Sequence, residues 1–409
     1  MTATLTRRDA VLRRIVANDP AEFAASWWGR APLLSRAADL GGPEGFRDLL
    51  SSAAVDELLS RRGLRTPFLR VAQQGKVLPA GRFTGGGGPG AEITDQVHDE
   101  QVMRLFADGA TLVLQGLHRI WEPLIDFTGR LGAELARPLQ VNAYLTPPSS
   151  QGFATHYDTH DVFVLQVEGT KRWIIHPPVL PDPLERQPWG GRADEVAATA
   201  EGRAALDVVL QPGDALYLPR GWLHSARTDK GRSLHLTIGI RGLTRYALVE
   251  ELLGMAVTDP RLRASLPYGF DLTDPDAVGA ELTATVGALR DWLLTADPEQ
   301  VAAALRDRTV TRPVPLNPLA QLDFADSLTP ASKITARPGL RWELTRDGDR
   351  MTVRLAGGRT LTMPVSCEPA VRVALDGVPC TVGDLPLDDD ADRLVLARRL
   401  LTEGLVVPG

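Results

Sequence analysis

The sequence predicts a mainly β protein with flanking helices: a barrel or sandwich of short strands, then a helical bundle, then a small α+β unit. Three observations lead there. Between Leu139 and about Arg241, short β-rich runs alternate with Gly/Pro punctuation (VNAYLT, DVFVLQV, KRWIIH, DVVLQ, DALYLP, SLHLTIGI), which is the signature of a barrel or sandwich. Residues 244–310 change to helical spacing, and the stretch from 320 onward returns to strands divided by turn signals. All seven histidines (98, 118, 156, 160, 176, 224 and 235) lie between residues 98 and 235, so any imidazole chemistry belongs to the β-rich region.

At 409 residues the chain is long enough for two or three domains. Hydrophobic residues make up 44% and charged residues 23%, an ordinary globular composition. The net charge of −6 gives no global field for nucleic acid. Two cysteines, Cys367 and Cys380, make neither a disulfide framework nor a zinc pattern, and fit a reducing cytoplasm. The first twenty residues, with Arg7, Arg8, Arg13 and Arg14, lack a signal peptide's apolar core, and no run is long enough to cross a bilayer.

Taken in order, residues 4–60 read as a helical cover. Asp19 caps a helix whose first position is Pro20, and Gly63 ends a second one. The glycine-rich PAGRFTGGGGPG (79–90) lacks the Lys-Ser/Thr pair of a phosphate loop and reads as a plain loop. A helix from His98 to Phe106, the strand ATLVLQGL and the amphipathic WEPLIDFTGRLGAEL precede the β region. Residues 181–205 are an insertion between strands, either a solvent loop or a neighbour of the barrel mouth.

The chain is organised around residues 141–176. Read as a strand, this stretch places His156 and Asp158 on one face. A neutral imidazole and a carboxylate are two thirds of the 2-His-1-carboxylate set that holds non-haem Fe(II). The third candidate is His224 in QPGDALYLPRGWLHSA, where Pro212-Gly213 suits a turn and Pro219 and Gly221 bring the histidine inward. A lone histidine is more often structural; three candidate ligands in two matching segments favour a metal.

Gly213, Pro219, Gly221 and His224 follow the spacing of the second cupin motif, and His156-Tyr157-Asp158 stands where the first belongs. The string NAYLTPPSSQGFATHYD, then FVLQVEG, Lys171 and Trp173, resembles the JmjC-type 2-oxoglutarate oxygenases, and within them the ribosomal oxygenases; FAASWWGRAPLLSR is similar to their entry segment. With the cupin spacings the β region is expected to be a double-stranded β-helix, a jelly-roll-type barrel. The resemblance implies Fe(II), 2-oxoglutarate and O₂, with His156, Asp158 and His224 on the metal. Lys171 matches the lysine that binds the far carboxylate of 2-oxoglutarate. Asn142, Tyr144 and Thr237 resemble polar positions lining the same pocket. His160 and His235 are expected to be structural, His160 alternatively near the substrate. Where parts of the family carry a serine two residues after Thr237, this chain has Gly239, which puts the peptide substrate in question and leaves the iron chemistry untouched.

Expected boundaries are 1–243 for the catalytic domain with its cover, 244–318 for a helical domain and 319–409 for the C-terminal unit. Asp274-Pro275 and Asp297-Pro298 start helices in the second, which the resemblance implies is a dimerisation module, making a homodimer. In the third, Asp347-Gly348 and Gly357-Gly358 mark turns, and the resemblance implies a winged helix. With eleven Lys/Arg against thirteen Asp/Glu from 320 to 409, it lacks the clustered positive charge that DNA requires. The expected function is hydroxylation of a histidine or arginine side chain in a ribosomal protein. Alternatives are the same chemistry on another peptide, an amino acid or an N-methyl group, or a non-catalytic metal-binding cupin.

Overall fold

The computed structural model describes residues 11–150, 153–228, 230–308, 313–356 and 358–409. Residues 1–10 of the expected helical cover, Gln151 and Gly152 of the central motif, the first two residues of TRPVPLNPL and Gly357 of the last turn lie outside them. The chain divides into two compact units: residues 1–241, 311–340 and 366–409 form the first, and residues 242–310 and 341–365 the second.

In the first unit, α1 (Pro20–Ser26) starts at Asp19, whose carboxylate accepts from the Ala21 N–H, with Pro20 at the first helical position. The stretch after it departs from the helical expectation. Leu33–Ser35 is a strand, β1, and residues 41–50 form turns; α2 (Ser52–Arg61) follows. A three-residue edge strand has too little sequence to show a period, and only its pairing with a distant strand defines it. Strands β2 (Leu69–Gln73), β3 (Lys76–Val77), β4 (Thr84–Gly85) and β5 (Gln96–Val97) lead to α3 (Asp99–Ala107), β6 (Thr111–Leu114) and α4 (Glu122–Leu135).

The barrel strands then run β7 (Leu139–Thr146), β8 (Asp161–Glu168), β9 (Lys171–His176), β10 (Leu206–Leu210), β11 (Ala215–Leu218), β12 (Leu223–Arg227) and β13 (Ser233–Ile240). The insertion between β9 and β10 carries α5 (Ala193–Ala200). One sheet has the order β1-β11-β8-β13-β7-β6-β2-β3 and the other β10-β9-β12, antiparallel throughout.

Side-chain alternation decides what each face does. On β7, β8 and β13 the odd-numbered Val141, Ala143, Phe163, Leu165 and the even-numbered Leu236 and Ile238 join the core under the helical cover. The opposite face of β8, Val162 and Val164, packs with Trp173, Ile175, Val208, Leu216 and Leu218 between the two sheets. Because β8 is covered on both faces, it reads as an apolar run. The inward positions of β7 and β13 are polar instead, and they form the site.

The first unit also holds α10 (Pro318–Asp326) and β14 (Lys333–Ala336), with α11 (Glu368–Leu375), β18 (Cys380–Thr381), α12 (Asp390–Thr402) and β19 (Val406–Pro408); β14 pairs with both β18 and β19. The second unit has α6 (Arg245–Met255), α7 (Pro260–Arg263), α8 (Pro275–Leu293) and α9 (Pro298–Arg308), and the antiparallel meander β15 (Trp342–Asp347), β16 (Arg350–Leu355), β17 (Thr360–Pro364). Within it Ala247, Val301 and Leu305 make a small core, and Arg306 pairs with Glu343 at 2.9 Å. Among the described residues no helix is long and apolar enough to cross a membrane.

Candidate metal and cosubstrate site

His156 and Asp158 face the same way for a different reason from the one the sequence suggests: neither lies within a named strand. A single antiparallel bridge joins His156 to His224 on β12, with His156 N–H to the His224 carbonyl at 3.2 Å and the return bond at 2.8 Å. The Gly221 N–H donates to the Asp158 carbonyl at 2.9 Å. Gly221 has a φ of +86°, and a Cβ there would lie 2.7 Å from the Leu180 carbonyl oxygen, so only glycine fits this turn. The turn before β12 therefore carries both the third candidate and the bond that holds the second.

The ligand atoms of His156, Asp158 and His224 all lie within 4.8 Å of one another, and His224 Nε2 is 3.7 Å from Asp158 Oδ2. His156 Nδ1 is 2.8 Å from the Ala154 carbonyl oxygen and His224 Nδ1 is 3.1 Å from that of Trp222. A carbonyl can only accept, so both Nδ1 atoms carry a proton, which leaves Nε2 as the ligand atom of each ring. Burial, and then the neighbouring His156 ring, push His224 down to about 4, keeping it neutral. Burial works to raise Asp158, but His224, His160 and His156 together hold it below the usual carboxylate range. Two neutral imidazoles and a carboxylate are the donor set suited to Fe(II), so the residues fit the ion.

The same residues line a cavity of about 310 Å³. Register places its polar wall: Thr237 stands opposite Asn142, His235 opposite Tyr144 and Gly239 opposite Gln140 across β13 and β7. The Tyr144 hydroxyl is hydrogen-bonded to the Thr237 side chain, and burial followed by the Asp158 charge pushes the phenol up to about 12. Asn142 Oδ1 accepts from the Gly116 N–H at 3.2 Å. Lys171, first residue of β9, is buried, and its ammonium donates to Thr146 Oγ1 at 3.0 Å. Among the described residues no carboxylate pairs with it, and burial pushes it down to about 7. An isolated buried ammonium is costly, and a bound carboxylate would relieve it. Two further buried polar atoms on this lining, Trp173 Nε1 and His235 Nδ1, find no hydrogen-bond partner among the described residues. A polar ligand fits here.

All seven expected site residues thus line one cavity. His235, expected to be structural, lines it as well, stacked on Tyr144 at 4.9 Å between ring centroids; its two-residue offset from Thr237 on β13 was the available signal. Trp189 of the insertion reaches the lining, 6.3 Å from the His156 ring. Arg70, on a strand far back in the chain, had no sequence signal.

His160 lines the cavity and explains Gly239. A Cβ at 239 would lie 2.7 Å from His160 Cδ2 and 3.0 Å from Gln140 Cγ. A Gly239→Ser variant is therefore expected to lose about 1–3 kcal/mol of stability by overpacking. A companion His160→Ala should restore most of it in a double-mutant thermal-unfolding cycle; additive losses would show that the two sites do not meet.

The JmjC domain profile matches residues 126–248, the stretch that holds β7 to β13. Residues 126–248 are a JmjC domain. The bifunctional lysine-specific demethylase and histidyl-hydroxylase NO66 of Drosophila persimilis is 45% identical over 134 residues, 31% of this chain and 19% of that one. Ribosomal oxygenase 1 of Bos taurus is 32% identical over 266 residues, 61% of this chain and 37% of its own. This chain thus spans 19% and 37% of the two relatives' lengths. The Escherichia coli ribosomal oxygenase YcfD superposes with a TM-score of 0.56 at 18% identity, over 97% of this chain and 99% of the other. That protein has also been solved with cobalt and 2-oxoglutarate. At this identity the likeness shows the fold: the JmjC barrel, its double-stranded β-helix and the helices around it.

Proposed function

We propose that the protein is an Fe(II)- and 2-oxoglutarate-dependent protein hydroxylase acting on a histidine or arginine side chain of a ribosomal protein. One observation carries this reading. A 2-His-1-carboxylate cluster and a buried ammonium with no counter-ion among the described residues open into a single cavity.

In this reading His156, Asp158 and His224 hold the iron, and Lys171, Asn142, Tyr144 and Thr237 bind the cosubstrate. Iron with 2-oxoglutarate and O₂ supplies the oxidising power to place one oxygen atom on a C–H bond while 2-oxoglutarate goes to succinate and CO₂. Lys171, positioned by Thr146, neutralises the far carboxylate. Tyr144 remains protonated at neutral pH and serves as a hydrogen-bond donor. The apolar wall of Val162, Val164 and Leu218 excludes water, and Phe153 and Trp189 line the cavity as well. The name of the ribosomal oxygenase relative supports a ribosomal substrate, and the histidyl-hydroxylase in the NO66 name supports a histidine target. Gly239, backed by His160, favours a second reading in which the same chemistry acts on another peptide, an amino acid or an N-methyl group.

The test is direct. Iron-loaded protein should convert 2-oxoglutarate to succinate, and ribosomal proteins from a deletion strain should lack one oxygen atom on one peptide. An unchanged ribosome moves the substrate elsewhere, and absence of both 2-oxoglutarate binding and O₂ uptake leaves a non-catalytic cupin.

The reading includes a cytoplasmic homodimer, with residues 244–318 as the dimerisation module and 319–409 as a winged-helix-like domain without DNA affinity. On α8, Leu282 and Val286 are 60% and 56% exposed and share one helix face. On α6, Val249 and Leu253 do the same. A Leu282→Glu/Val286→Glu variant should weaken self-association at least about 100-fold in sedimentation, since each buried charge costs several kcal/mol; unchanged association would remove these helices from the interface.

A further inference from the structure

Outside the cavity, and sharing Arg70, Gln140 and Asn142 with it, lies a groove of about 550 Å³. Three arginines line it: Arg70 from β2, Arg119 from the turn after β6, and Arg241 just past β13. Among the described residues no aspartate or glutamate lines it. Arg70 is opposite Val113 on β6, which is opposite Tyr144 on β7, so it continues the cross-strand row of Tyr144 and His235 outward from the site. Arg70 and Arg119 are exposed, and among the described residues their guanidinium groups make no ion pair or hydrogen bond. Among the described residues the Arg241 guanidinium meets Glu185, at 3.5 Å with both side chains largely exposed, a contact that a ligand can replace at little cost. The walls between the charges are apolar or neutral: Pro67, Phe68, Pro138 and Leu139, with Gln115. In a chain of net charge −6, a groove with positive charge alone is a local exception and would concentrate an anionic partner.

We infer that the groove receives an acidic stretch of the substrate polypeptide next to the side chain that enters the cavity, its carboxylates paired with Arg70, Arg119 and Arg241. This rests on the hydroxylase reading and deepens it by naming a specificity determinant. A polypeptide is favoured over RNA because the groove opens into a cavity sized for one side chain, and its prolines and leucine can cover aliphatic stems. Three arginines at the mouth form no track for a phosphate backbone, which carries a charge at every step. Lysine- and arginine-rich flanks would be repelled, so within a ribosomal protein the groove selects those segments that carry acidic residues beside the target side chain.

The test uses the full chain loaded with Mn(II), and fluorescein-labelled peptides centred on histidine or on arginine and flanked by Glu/Asp, by Ser/Gln or by Lys. In fluorescence anisotropy at low salt the acidic-flanked peptides should bind about tenfold tighter than the neutral ones, with the gap closing at high salt. An Arg119→Glu/Arg241→Glu variant should lose that preference while keeping its thermal stability and its uncoupled conversion of 2-oxoglutarate. Equal affinity for the three flanks, or a preference untouched by charge reversal, overturns the inference. So does a single-stranded RNA that outcompetes the acidic peptide and is lost in the same variant. The two levels separate cleanly: 2-oxoglutarate turnover without flank preference removes the groove alone. Flank preference without turnover removes the hydroxylase reading and keeps the groove.

Discussion

An Asp158→Ala variant is expected to lose at least about 100-fold in Mn(II) affinity while its metal-free fold melts as the wild type does. The two halves of this result have separate causes. The Asp158 side chain is about a third exposed, and what ties it into the fold is its backbone carbonyl, bonded to the Gly221 N–H. That bond survives truncation to alanine. An ion held there would, in contrast, lose the one carboxylate of the cluster and be left with two imidazoles, a donor set far weaker for Fe(II) or Mn(II). A thermal-shift titration checks both. Ligand that binds only the native state stabilises it by RT ln(1 + [L]/Kd), about 2.7 kcal/mol at a hundred times Kd. The wild type should show this gain and the variant almost none. Wild-type affinity in the variant would mean that the cluster is not the metal site.

How much of this was legible in the sequence follows from range. Asn142 with Tyr144, and Lys171 after the Glu168-Gly169-Thr170 turn, are governed by two-residue alternation and a local reversal. Gly169 has a φ of +65° and packs directly on the Arg232 carbonyl, so the turn is written at a single position. The candidate metal ligands are legible as residue types at a spacing, but strand alternation is not what orients them. A bridge to a strand 68 positions away, not strand alternation, aligns His156 with His224. Such pairing leaves no periodic trace. The same holds for Leu33–Ser35, a strand because β11 lies beside it, and for Arg70, which reaches the site only through the β2-β6-β7 order. For His235 the sequence shows a histidine in an apolar strand, which says nothing of the cavity it lines. Here its Nδ1 has no partner among the described residues, and its ring stacks on the tyrosine of the pocket wall.

Replacing Lys171 by methionine should raise the Kd for an inert 2-oxoglutarate mimic by roughly 30- to 1,000-fold, the cost of leaving a buried carboxylate unpaired, and should stabilise the ligand-free protein. The opposite signs come from one cause. Lys171 is only 4% exposed, its ammonium meets a single neutral hydroxyl, and burial brings it from 10.5 to about 7. A methionine of similar length fills the space without a charge to desolvate. Because the folded value lies below the unfolded one, the unfolded chain binds more protons between about pH 7 and 10.5. Wild-type stability therefore gains a rising component across that window, and the methionine variant should lack it. Ligand binding runs the other way. The carboxylate pairs with the protonated lysine, so above pH 7 binding must take up a proton, and the wild-type Kd should climb with pH toward tenfold per unit. Calorimetric titrations of the Mn(II)-loaded protein in buffers of different ionisation enthalpy would count that proton directly. A methionine variant that binds the mimic as tightly as the wild type, with the same pH dependence, would take Lys171 out of the cosubstrate site.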